Sequence, residues 1–112
     1  MERQALGMLE VQGYSVALAA LDRACKAADI RIHGIDCNNP DGNVQAIIPL
    51  MVQVKFTGRV ADVEHALEVA RETARQYLPD EAILTRCIPS AAPGMEKLLS
   101  VGKVTLKPRG RP

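Results

Sequence analysis

Residues 5–30, ALGMLEVQGYSVALAALDRACKAADI, decide the fold. Leu6, Met8 and Val11 mark a short apolar strand, and Gly13 permits a tight turn after it. From Ser15 to Ala28 the positions Ala17, Ala20, Leu21, Ala24 and Ala28 recur at helical spacing, with Ser15 as the expected N-cap. The chain therefore opens strand–turn–helix. Lys26 falls near the helix end, where a cation favours the helix dipole.

Working outward, Ile30, Ile32 and Ile35 alternate with Arg31 and His33, the pattern of a half-buried strand. The next stretch, Asp36 to Asn43, reads DCNNPDGN and is dense in turn formers. Pro49 cannot donate to a sheet ladder, so it divides the following run. The strand proper is Leu50 to Phe56, and Val44 to Ile48 is a loop or an extra hairpin arm. Val60 to Tyr77 is the clearest helix. Val63, Ala66, Leu67, Ala70, Ala74 and Tyr77 share one face, Glu64, Glu68, Arg71, Glu72 and Arg75 the other, and Glu68–Arg71 and Glu72–Arg75 favour the helix. Pro79 and Asp80 end it. Ala82 to Ile88 is a strand, Pro93 to Leu99 a short helix, and Val104 to Leu106 a candidate last strand.

The order β-α-β-β-α-β gives an α+β, ferredoxin-like split βαβ domain. Two helices cover one face of an antiparallel sheet and leave the other face open. One domain spans residues 1–107, and residues 108–112 form a basic tail. The chain has 112 residues, 47% of them apolar, which suits a single core. Its only aromatics are Tyr14, Phe56 and Tyr77, so Ala, Val, Ile and Leu must build that core. Small side chains bury little area each, and such a subunit gains from burial in an oligomer.

A net charge of +1 gives no electrostatic case for nucleic acid. No apolar run is long enough to span a bilayer, and MERQALG lacks a signal peptide's apolar core, so a cytosolic protein is expected. Three cysteines without CxxC spacing do not make a disulfide framework there. Cys25 and Cys87 read as small core residues, and His33 and His65 as surface or interface residues.

Several pieces, in order, resemble the bacterial microcompartment (BMC) shell domain. ALGMLEVQG is similar to its first strand and turn, and ALAALDRACKAADI to its first helix. VQVKFTGRVADVEHALEVARETA is similar to its third strand and second helix, and CIPSAAPGMEKLL to its closing strand and short helix. The resemblance spans roughly Ala5 to Leu99, and the collinear set carries it. It implies a non-enzymatic, cytoplasmic shell protein: a cyclic homohexamer with a central pore, tiled edge to edge beside other shell proteins around encapsulated enzymes. It also implies that Lys26 is the lysine at the hexamer edge. Two positions depart from the family pattern. Ser90 follows Pro89 where an edge Arg is usual, and Arg59 stands where the turn before the second helix usually offers an Asp. Ser90 puts the standard tiling contact in question.

The third departure is the link between the second and third strands, which is longer than the short Gly-rich pore loop of ordinary hexamers. The resemblance makes Asp36, Cys37, Asn38, Asn39, Pro40, Asp41 and Gly42 the pore loop and sets Cys37 near the six-fold axis. One cysteine in a monomer is a poor metal ligand, but six copies around an axis form a ring of thiols. Thiolates hold iron–sulfur clusters, commonly four at a time. The chain looks most like the divergent shell proteins of glycyl-radical propanediol microcompartments, which are associated with an iron–sulfur cluster in the pore. Cys37 is thus the expected metal and cofactor ligand, holding a shared [4Fe-4S] cluster. A pore plugged in this way would move electrons rather than metabolites. The alternatives are an ordinary metabolite-conducting hexamer with Cys37 as a plain loop thiol, and a ferredoxin-like small-molecule regulatory module. EVQGYSVA, Glu10 to Ala17, faintly resembles the phosphate loop of acylphosphatase. That chemistry needs a fixed guanidinium, which is missing from this loop.

Overall fold

The computed structural model describes residues 4–38 and 51–99. Asn39 to Gly42, the Val44–Ile48 arm, Val104–Leu106 and the basic tail lie outside the described residues. Four strands, β1 (Ala5–Gln12), β2 (Ile30–Asn38), β3 (Met51–Gly58) and β4 (Ile83–Ile88), alternate with α1 (Tyr14–Ala27) and α2 (Val60–Arg75). A 3-10 turn at Asp80–Ala82 precedes β4, and the short α3 (Glu96–Leu99) follows it. The sheet order is β2-β3-β1-β4, with every described pairing antiparallel. This is the α+β, split βαβ arrangement that the pattern of elements predicts.

Register explains which residues are inside. Leu9 faces Val54 and Val11 faces Val52, while on the other side Leu9 faces Thr85 and Val11 faces Ile83. This row is buried beneath Val16, Ala17, Ala20, Leu21 and Ala24 of α1 and Val63, Ala66, Leu67, Ala70 and Ala74 of α2. Alanine at six of these ten helix positions lets the two helices lie close to the sheet and to each other. Phe56 is the one large ring in this layer and is fully buried.

Gly7 is required beside that ring. A Cβ there would come within 2.5 Å of the Phe56 ring and 2.9 Å of Val63 Cγ1.

Several boundaries differ from the sequence expectation. Gly13, with φ 91°, occupies the N-cap of α1, so Ser15 falls inside the first turn and makes no cap. The second strand continues to Asn38, and the third runs on to Gly58. α2 ends at Arg75, and α3 begins only at Glu96. Cys25 is exposed, not core. It lies one residue past Ala24, about 100° around the helix from the buried stripe. Cys87 is half-buried against the core as expected.

The face away from α1 and α2 is not fully open. Leu6 and Thr57, neighbours on that face, are buried. Leu99 of α3 is buried as well, and α3 makes its contacts with β2. The short C-terminal helix therefore closes part of this face. Its remaining rows mix charged, polar and apolar side chains: Arg86, Met8 and Lys55 lie across one line, and Leu84, Glu10, Gln53 and Asp36 across the next.

Candidate functional site

The end of β2 carries the described part of the expected pore loop. Between Ile32 and Gly34 the pairing with β3 slips, so His33 is the extra residue of a β-bulge. The slip resets the alternation. Ile30 and Ile32 face the helices, and after the bulge Ile35 does so too. Cys37 follows in the same phase, opposite Val52, and packs against the core. Asp36 and Asn38 point to the other face, where the Asn38 amide donates to Asp36 Oδ2 at 3.3 Å.

His33 itself is half-buried, its Nε2 hydrogen-bonded to Thr57 Oγ1 at 2.7 Å, while His65 is exposed.

Burial, then the Asp36 charge, pushes the Cys37 thiol up from its ordinary value. Burial also raises Cys87, with Glu64 adding, and Cys25, with Asp22 adding. All three therefore favour the thiol over the metal-binding thiolate at neutral pH. Among the described residues no group of three or more His, Cys, Asp or Glu side chains could hold a metal ion. One subunit thus offers a cluster a single thiol, which does not fit an iron–sulfur centre. Any cluster at Cys37 has to be shared between copies.

The opposite end of the molecule gathers residues far apart in sequence. Lys26 lies in the last turn of α1 and donates to Asp22 Oδ2 at 2.8 Å, with both side chains largely exposed. Asp62, in the first turn of α2, is half-buried and holds two neighbours. Its Oδ2 accepts from Arg59 Nε at 3.2 Å, and its Oδ1 accepts from the Asp29 backbone N–H at 3.4 Å. The Arg59 side chain is 80% exposed. Arg59, Val60 and Asp62 form one wall of an open groove of about 830 Å3, and Pro89 and Ser90 form the other. A smaller groove of about 250 Å3 adjoins it, lined by Asp29, Arg31, Arg59 and Asp62. Sequence reasoning named Lys26, Arg59 and Ser90 singly. The grooves join segments around residues 29, 59 and 90, and no local pattern in the sequence signals that.

A third cluster was missed. Arg71 and Arg75 do not pair with Glu68 and Glu72 in the structure. Arg75 Nε donates to Asp80 Oδ1 at 2.7 Å, and Arg71 reaches the same oxygen at 3.5 Å. Arg71 also donates to the Ile83 carbonyl at 3.0 Å and to Thr85 Oγ1 at 3.2 Å. The Arg75 hydrogen bond holds the Asp80 carboxyl below its ordinary value; burial opposes it as the next largest effect, and the charges of Arg75 and Arg71 add to the lowering. These contacts pin α2 to the start of β4.

The family profile of the BMC domain matches residues 5–90, β1 through the end of β4. The chain belongs to the BMC-domain family. No curated protein matches it. Among solved structures, a microcompartments protein from Desulfitobacterium hafniense DCB is similar, with a TM-score of 0.67 and 20% identity over 93% of this chain. This BMC-domain chain spans 51% of that protein's length, and the likeness is one of fold. Among the described residues no helix is long and apolar enough to cross a membrane.

Proposed function

We infer that this BMC-domain chain is a non-enzymatic tile of a microcompartment shell, assembling as a cyclic homohexamer around a central pore and meeting other shell proteins edge to edge. The observation that carries the reading is the BMC-domain match from Ala5 to Ser90, which embraces the whole four-stranded sheet and both covering helices. The subunit's own chemistry agrees. Its core is built from small aliphatic side chains, and Leu18, Tyr77 and Leu84 remain 45%, 61% and 51% exposed in the single subunit. Assembly would cover apolar area of this kind. The wall would enclose enzymes inside the cytoplasm.

A finer reading concerns the pore. The link from Asn39 onward begins one residue after Asn38, which follows Cys37, and a six-fold ring would bring six copies of that thiol around one axis. Thiolate ligands from several subunits would then supply what one subunit lacks, an iron–sulfur site of redox character. Cys37 lies next to the last residue of β2, where the chain leaves the sheet. The raised thiol means that binding would have to displace a proton. The test is the mass in solution of anaerobically purified protein together with its iron and sulfide content. A hexamer with iron that disappears in Cys37→Ser supports both parts. A hexamer without iron leaves an ordinary shell tile. A monomer or dimer removes the shell reading.

A further inference from the structure

The grooves at the α1–β2 and β3–α2 junctions carry charges that no partner among the described residues satisfies. Asp62 spends one carboxylate oxygen on Arg59 Nε and the other on the Asp29 backbone. It thereby fixes Arg59 and Asp29 on either side of itself. Arg59 has only its Nε engaged, and the two terminal amines of its guanidinium make no hydrogen bond among the described residues. The Asp29 carboxylate is exposed and likewise makes no hydrogen bond or ion pair among them. The two side chains share the smaller groove without forming an ion pair with each other. Across the larger groove, Pro89 and Ser90 form a wall without charge, and Val60 is 42% exposed beside Arg59. The patch is thus a cation and an anion held at a fixed spacing, next to an apolar surface.

We propose that this patch meets the same patch on a second copy of the chain, in an isologous contact where Arg59 of each copy pairs with Asp29 of the other. A two-fold contact requires a self-complementary surface, because residue i on one side meets j on the other and j meets i. A guanidinium and a carboxylate without partners for these groups among the described residues, lining one groove, meet that requirement. Arg31 lines the same smaller groove and adds positive charge on the side of Arg59. The planar guanidinium, with its Nε already anchored, still presents two donors in a fork suited to a carboxylate. The inference rests on the shell-tile reading and names the residues of the contact between neighbouring hexamers. Arg59 is then the edge cation of this chain, alongside Lys26, whose ammonium is already engaged by Asp22.

The substitutions that test this leave the subunit intact. Arg59 is the N-cap of α2 and makes no side-chain cap, so Arg59→Asp installs a favourable capping residue at a helix N-terminus. Asp29→Arg keeps the backbone N–H that Asp62 accepts. The experiment measures the protein concentration at which purified hexamers form sheets, by light scattering and negative-stain microscopy. Each single variant should remain hexameric and require at least ~10-fold more protein to form sheets, because each contact contains the pair twice and every edge repeats it. The double variant Arg59→Asp/Asp29→Arg restores the pair with reversed sense and should return to within ~3-fold of the parent. Sheets from Arg59→Asp at the parent's threshold would overturn the proposal. So would a double variant no better than the singles. A parent that forms hexamers but no sheets would overturn it and leave the hexamer standing, and a parent that forms no hexamer would remove the shell reading with it.

Discussion

The two faces of the sheet are built on different principles. Toward α1 and α2, Leu9, Val11, Val52, Val54 and Phe56 are fully buried and interlock with alanine-rich helices. On the opposite face Lys55, Glu10, Gln53 and Asp36 sit in mixed rows, closed at one end by α3 and the buried Leu99. Volume governs the first face, whereas the second mixes charged side chains with Leu6, Met8 and Leu84. Cys37 belongs to the first by virtue of the bulge at His33, although its neighbours Asp36 and Asn38 belong to the second. A residue expected to act as a ligand is therefore half-buried against the core in the single subunit.

The contrast is most severely tested at Phe56. Phe56→Ala empties the one large volume on the helix face and should cost about 3–5 kcal/mol in urea unfolding. A loss below ~1 kcal/mol would mean the face is loosely packed. Gly7→Ala sharpens the same point from the other direction. The added methyl meets the Phe56 ring and Val63, and neither can move away within a filled layer. Overpacking of this kind costs about 1–3 kcal/mol. Equal stability of Gly7→Ala and parent in the same assay would show slack that the packing excludes.

The smallest effect belongs to the rim, where Asp80 ties Arg75 and Arg71 to the start of β4. Its carboxyl is held below the ordinary value of 3.8. The folded protein thus binds this proton less readily than the unfolded chain. The resulting stability is present above the unfolded value and is lost as pH falls through the folded one. Asp80→Asn should therefore lower the melting temperature slightly at pH 7 and converge with the parent in strong acid. A gap that stays constant from pH 7 to pH 2 would assign the effect to something other than this ionisation.

Much of the fold was legible because each element carries its own local signal. The short apolar stretch of β1 and the alanine stripe of α1 need no tertiary information. The bulge was also written in the sequence: Ile30, Ile32 and Ile35 are spaced by two and then by three, and only an extra residue keeps all three on one face. Reading that spacing through to Cys37 would have turned the thiol toward the helices. Cys25 was misjudged by composition, since its helical phase already placed it off the stripe. The arginines of α2 were misjudged because Asp80, the residue directly after Pro79, outcompetes the glutamates of the helix itself. The candidate site was legible only in its separate residues. Lys26 could be located at the end of α1, but the patch of Asp29, Arg59 and Asp62 exists only once the ends of β2 and β3 lie side by side.

The central claim is that this BMC-domain subunit closes into a ring of six, and native mass spectrometry of the anaerobically purified chain and of Cys37→Ser reads it directly. The account predicts a species near 73 kDa, six times the 12.1 kDa subunit, in both proteins. Added mass from iron and sulfide in the parent alone would place a shared cluster at Cys37. A dominant monomer or dimer at concentrations well above micromolar would contradict the shell assignment.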